Sequence, residues 1–142
     1  MAGLTEAQVV DALSTSLESL GFDYLDRGES REVYLHPGLQ VVLKLGRIGN
    51  LYEIDTWTEL AEDGMDSFAA PLIWHSPSCA LLLQAYVPDT HQTTLSRQES
   101  AVIAQTLAGL GFHDCHELNV GLLQGRPVIF DIEAGYGFRR PA

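Results

Sequence analysis

The segment Val41-Val42-Leu43-Lys44-Leu45 constrains the fold more than any other stretch of the chain. It is short and apolar at every position but Lys44, so it reads as a strand buried on both faces. Strand-like runs surround it in the sequence. Residues 22–26 and 31–36 come before it, and His36-Pro37-Gly38 supplies the turn into 40–45. Residues 71–75 and 80–86 come after it, joined by Ser76-Pro77-Ser78. Helical patterns separate these runs. Over residues 5–20, Thr5 and Gln8 form a capping box, Val9, Leu13, Leu17 and Leu20 recur at helical spacing, and Gly21 ends the element. Asn50 and Glu53 begin a second helix that runs to about Glu62 and closes at Asp63-Gly64. After the connector Val87-Pro88-Asp89, Ser96 and Glu99 begin a third, with Ile103, Leu107 and Leu110 on one face and Gly111 at its end. Two apolar runs, 119–123 and 127–132, flank Gln124-Gly125 as a hairpin. This order is an α+β arrangement, not the strict alternation of a doubly wound sheet.

A chain of 142 residues, 46% of them hydrophobic, fits one globular domain over 1–142. No apolar run reaches the roughly 18–20 residues of a membrane span. MAGLTEAQVV has neither the basic flank nor the apolar stretch of a secretory signal, so a cytoplasmic location is the expectation. The two cysteines, Cys79 and Cys115, are too few for a disulfide framework and read as free thiols. A net charge of −11 with only eight Lys and Arg opposes binding to nucleic acid. It equally repels a nucleotide at long range, so a nucleotide site in this chain needs a divalent cation and locally placed positive groups.

The richest segment for chemistry is His113-Asp114-Cys115-His116-Glu117-Leu118-Asn119, followed by a hairpin ending in Phe130-Asp131. Phosphoryl transfer needs a carboxylate to orient the attacking hydroxyl, and an amide oxygen and a second carboxylate to hold Mg²⁺ against the phosphates. Asp114 and Asn119, five residues apart, have the chemistry of the first two groups, and a hairpin would return Asp131 to them. The Asp114-x4-Asn119 spacing resembles the catalytic loop of the protein-kinase-like superfamily. DCHELNVG is closer to small-molecule kinases of the aminoglycoside and choline type than to protein kinases. Ile129-Phe130-Asp131-Ile132-Glu133 resembles the strand that carries that family's metal-binding Asp. Gly28-Glu29-Ser30-Arg31-Glu32-Val33-Tyr34 resembles its phosphate-covering turn, and Val42-Leu43-Lys44-Leu45 its lysine strand. Leu81 to Pro88 is similar to the strand that runs into the adenine-binding hinge.

The resemblance spans roughly residues 22–135. It implies a minimal kinase-like fold: an N-terminal helix (1–21), an antiparallel five-stranded upper lobe with one main helix and a hinge (22–88), and a much reduced lower lobe of helix, catalytic-type loop and hairpin (89–142). It implies ATP and Mg²⁺ as cofactors. Gly28, Ser30, Lys44, Tyr86 and Val87 would contact the nucleotide, Glu53 would pair with Lys44, Asn119 and Asp131 would hold the metal, and Asp114 would act as base. Some positions depart from the pattern. Glu133 stands in place of the family's glycine, and Phe112 where protein kinases have His. Eleven residues follow Asp131, which leaves no room for an activation segment or a helical lower lobe. The implied function is phosphotransfer to a small-molecule hydroxyl, or to one delivered by a partner protein that completes the lower lobe. The alternative is an inactive, pseudokinase-type binding module that inhibits or scaffolds a partner, as would suit a phage or mobile element.

Each position also has a plainer reading. Lys44 fits a snorkelling or edge-strand lysine, Glu53 a capping-box residue, and Gly28 with Ser30 a hairpin turn. Glu59 is a rival partner for the lysine. Asp114, Asn119 and Asp131 fit turn or strand-end residues, and Phe138-Arg139-Arg140 fits a frayed terminus as readily as a docking tail. His113, Cys115 and His116 are too close together to surround a zinc ion, with His36, His75 and His91 scattered elsewhere. A Cys115–His116 nucleophilic dyad fails because adjacent side chains seldom face each other.

Overall fold

The computed structural model describes residues 5, 8, 16–27, 31–112 and 115–130. They contain eight strands: β1 (Asp23–Arg27), β2 (Glu32–His36), β3 (Val41–Leu45), β4 (Leu72–His75), β5 (Leu81–Ala85), β6 (Asp89–Thr90), β7 (Val120–Leu123) and β8 (Arg126–Ile129). The helices are α1 (Arg47–Glu62), between β3 and β4, and α2 (Arg97–Gly109), between β6 and β7, with a 3-10 turn at Asp66–Phe68. By their contacts the residues fall into two compact units, Met1–Leu51 with Leu72–Tyr86, and Tyr52–Pro71 with Val87–Ala142.

The first unit holds a five-stranded sheet in the order β1-β2-β3-β5-β4, antiparallel throughout. A five-stranded antiparallel sheet is what the resemblance implies. In β3, Val42, Leu43 and Lys44 are consecutive buried residues, so the strand is covered on both faces, as its apolar run predicts. Alternation then sorts the side chains. Leu43, Leu45, Leu81 and Leu83 share one face and form a cluster with Leu17, Phe22 and Tyr34. Val42, Lys44, Leu82 and Gln84 lie on the other face.

In the second unit β6, β7 and β8 form an antiparallel sheet. Helix α2 buries Ile103, Ala104 and Leu107 in a cluster with Leu60, Ala69, Phe112, Val120 and Ile129. The β7–β8 turn has positive φ at both Gln124 and Gly125, as a two-residue hairpin of type I′ requires. Val87-Pro88-Asp89 proves to be more than a connector, because Asp89–Thr90 pairs with Gly121 and Leu122. Gly121 permits that approach: a Cβ at this position would stand 2.5 Å from the Asp89 carbonyl oxygen.

All three expected helix ends are built the same way. At Gly21, Gly64 and Gly111 the residue is left-handed, its N–H bonds three residues back, and the next N–H bonds five residues back. These are Schellman motifs, each joining an apolar pair: Phe22 with Leu17, Met65 with Leu60, Phe112 with Leu107. Thr5 and Gln8 form their reciprocal capping box, although most of the helix expected over 5–20 lies outside the described residues. The start of α1 differs from expectation. It begins at Arg47, three residues before Asn50, whose N–H already bonds to the Gly46 carbonyl.

At the head of α2, the Ser96 N–H donates to Glu99 Oε1 at 3.0 Å and the Glu99 N–H donates to Ser96 Oγ at 3.1 Å. The bond from the Ser96 backbone, followed by that from its side chain, lowers the Glu99 pKa. A depressed carboxylate stabilises the fold above its unfolded value, near ~4.3, and loses that contribution as pH falls through the lower folded value. Melting curves of wild type and Glu99→Gln across that acid range should therefore converge as pH falls. A constant difference would mean that the cap does not depend on the charge.

Candidate functional site

Lys44 and Tyr86 belong to the first unit. Lys44 is the chain's only lysine and is 3% exposed. Its cross-strand neighbours are Val33 on β2 and Leu82 on β5. It is therefore neither an edge residue nor a snorkelling one. Burying an ammonium group is expensive unless other groups compensate the charge, and Lys44 is not without a partner. Tyr86 lies just past β5, and its N–H donates to the Gln40 carbonyl at 3.0 Å.

A second buried polar group accompanies Lys44 in this unit. Asn50 is completely buried, and its Nδ2 donates to three carbonyls: Lys44 at 3.0 Å, Cys79 at 2.8 Å and Ala80 at 3.2 Å. Its Oδ1 accepts from Arg31 Nη1 at 3.3 Å, and Arg31 is itself buried. The local sequence pattern of Asn50 is that of a helix start. The available signal is that Arg31 follows Ser30 directly in sequence and that Asn50 comes shortly after the lysine strand.

Glu53, Val87 and Asn119 belong to the second unit. Glu53, Thr56 and Leu60 are buried at spacings of three, four and seven residues, so the carboxylate sits on the inward stripe of α1. Ionised side chains rarely occupy such a stripe unless paired, and Glu53 too has a partner. The capping-box reading of Glu53 fails, because Asn50 is inside the helix with its side chain committed elsewhere. Glu59, the rival carboxylate, is exposed. Val87 packs with Ala70 and Val128.

Asn119 is buried at the end of the polar loop. Its Oδ1 accepts the His116 N–H at 3.0 Å, and its own N–H donates to the His116 carbonyl at 3.2 Å. A backbone N–H only donates, so the side-chain atom facing His116 is the oxygen. The Phe130 N–H donates to the Asn119 carbonyl at 3.0 Å, extending the β7–β8 ladder by one pair. The hairpin thus brings the chain back to Asn119 at the residue preceding Asp131 in sequence. The loop also receives a surface ion pair at 3.0 Å between Arg97 of α2 and Glu117. Cys115 is half-buried against the apolar cluster, as a small hydrophobe would be. Gly28, Ser30, Asp114 and Asp131 lie outside the described residues. Among the described residues no group of three His, Cys, Asp or Glu could hold a metal ion, and no helix is long and apolar enough to cross a membrane.

No protein-family model matches the chain, and no curated protein is similar enough in sequence to count as a relative. Among solved structures, the chain is similar to a kinase of Legionella pneumophila bound to IP6, with 14% identity and a TM-score of 0.47, over 85% of this chain and 52% of that one. It is also similar to APH(2")-IIa in a ternary complex with streptomycin and ATP, with 12% identity and a TM-score of 0.41, over 78% of this chain and 43% of that one. The chain thus spans about half the length of the structures it matches.

Proposed function

We propose that the chain binds ATP with Mg²⁺ and transfers a phosphoryl group to a hydroxyl on a small molecule or on a bound partner. The observation that carries this reading is the position of Lys44. The one lysine of a strongly acidic chain is spent in the middle of a sheet, where an ammonium group is costly to keep. A buried glutamate on the next helix and a buried Asn closing a polar loop support the reading, because each is a group that phosphoryl transfer uses.

In this reading Lys44 neutralises charge on the α- and β-phosphates, and Glu53 orients it through a charge-assisted hydrogen bond. Gly28 and Ser30 cover the phosphates, and the backbone at Tyr86 and Val87 meets the base. Asp114 accepts the proton of the attacking hydroxyl. Asn119 and Asp131 would hold Mg²⁺. An amide oxygen and a carboxylate are the hard oxygen donors that this ion takes. When bound, the ion neutralises charge on the phosphates. Phosphoryl transfer depends mainly on position and electrostatics, so losing one metal ligand removes about 3 kcal/mol of transition-state stabilisation.

Calorimetric titration with Mg·ATP tests the reading. Wild type is expected to bind with micromolar affinity, and Asp131→Asn to bind at least tenfold more weakly. A folded wild type that takes up no Mg·ATP would overturn the nucleotide site and leave the partner-binding module as the better account.

A further inference from the structure

We infer that Asn50 is the positioning residue of Lys44, with Arg31 setting the orientation of its amide. This inference rests on the reading that Lys44 contacts the nucleotide. The chemistry of the contacts fixes which end of the amide is which. Three carbonyl oxygens can only accept and a guanidinium can only donate, so Nδ2 must face Lys44, Cys79 and Ala80, and Oδ1 must face Arg31. Two Nδ2 hydrogens serve three acceptors, so at least one is shared and the group has no donor to spare. Ala80 also accepts the Gly46 N–H at 3.1 Å, which ties the residue before α1 to the same turn.

Four chain segments are therefore held at one side chain. These are the end of β3 at Lys44, the β4–β5 turn at Cys79 and Ala80, the first turn of α1, and Arg31 at the head of β2. The direction in which Lys44 presents its ammonium follows from the backbone at residue 44, and Asn50 grips that backbone by donating from Nδ2 to the Lys44 carbonyl. Arg31 follows the Gly28–Ser30 turn directly in sequence. The same amide thus links the lysine strand to Arg31. A residue needed only for stability would not require this arrangement, since several separate caps could satisfy the same carbonyls.

Because Lys44 is the only lysine, protein grown with lysine labelled at the ε-carbon gives a single side-chain resonance. In folded Asn50→Ala that resonance should move toward the value of an exposed lysine, and the Mg·ATP dissociation constant should rise about tenfold or more. A merely structural role would lower the melting temperature and leave both readouts of the folded protein unchanged, and that result overturns the inference. If Asn50→Ala does not fold, Arg31→Met replaces it. Here the inference requires a smaller movement in the same direction, and an unmoved resonance overturns it. If wild type does not bind Mg·ATP but the resonance still moves in Asn50→Ala, the nucleotide reading falls and the positioning role stands.

Discussion

An acyl-phosphate derivative of ATP is expected to acylate the protein on one side chain only, Lys44, and excess Mg·ATP is expected to prevent it. The reaction needs an amine beside the phosphates. The amine attacks the acyl carbon, an amide forms and the nucleotide leaves with the phosphate. With one lysine in 142 residues, the only competing amine is the α-amino group, and a mass shift on the peptide containing Lys44 reads the result directly. Lys44→Met keeps an unbranched side chain, one atom shorter, and removes the charge. It should abolish the labelling and weaken Mg·ATP binding by about 100-fold, a loss on the order of 3 kcal/mol. The proposed pairing with Glu53 adds a second readout. Removing one member of a buried ion pair destabilises by roughly 3–5 kcal/mol, because the other charge stays buried. The double variant Lys44→Met, Glu53→Gln should therefore recover stability without recovering binding. Labelling of wild type that excess Mg·ATP does not suppress would show that Lys44 is reactive for some other reason, and would remove the main support for a nucleotide site.

What could be read in the sequence, and what could not, follows from the range of the forces involved. The helix ends at Gly21, Gly64 and Gly111 were legible because a Schellman motif is local: a glycine, and an apolar residue next to it that reaches back five positions. The capping boxes at Thr5 and Ser96 were legible for the same reason. The start of α1 was not. Asn50 and Glu53 carry the local pattern of a capping box, but the Asn50 amide is drawn to carbonyls 29 and 30 residues away and to a guanidinium 19 residues away. No window along the chain contains those partners. The pairing of Asp89–Thr90 with β7 was hidden in the same way, since two residues are too few to show a period. In the candidate site, residue types and order were legible, as was the burial of the lysine strand on both faces. The inward direction of Glu53 was not, because only packing separates it from Glu59.

Leu107→Ala should be among the most damaging of the simple core truncations. Leu107 is fully buried on α2, and its carbonyl accepts the Phe112 N–H that closes the helix. Its side chain belongs to the cluster that also holds Leu60, Val120 and Ile129. Truncating a buried leucine loses its transfer free energy and leaves a cavity, together about 2–5 kcal/mol. For a chain of this size that lowers the melting temperature by on the order of 10 °C. Val102→Ala, on the exposed face of the same helix, is the control and should change stability by no more than about 0.5 kcal/mol. Equal effects at the two positions would mean that α2 does not bury the face assigned to it. The consequence reaches the candidate site through β7. Val120 lines the cavity that the truncation would open and is the residue after Asn119, whose carbonyl and N–H fix the polar loop to Phe130 and His116. Leu107→Ala should therefore weaken Mg·ATP binding well below its melting temperature, while Val102→Ala leaves binding unchanged. A destabilised Leu107→Ala that binds Mg·ATP like wild type would separate the core from the loop, and would show that the Asn119 contacts hold the loop without help from the packing beneath it.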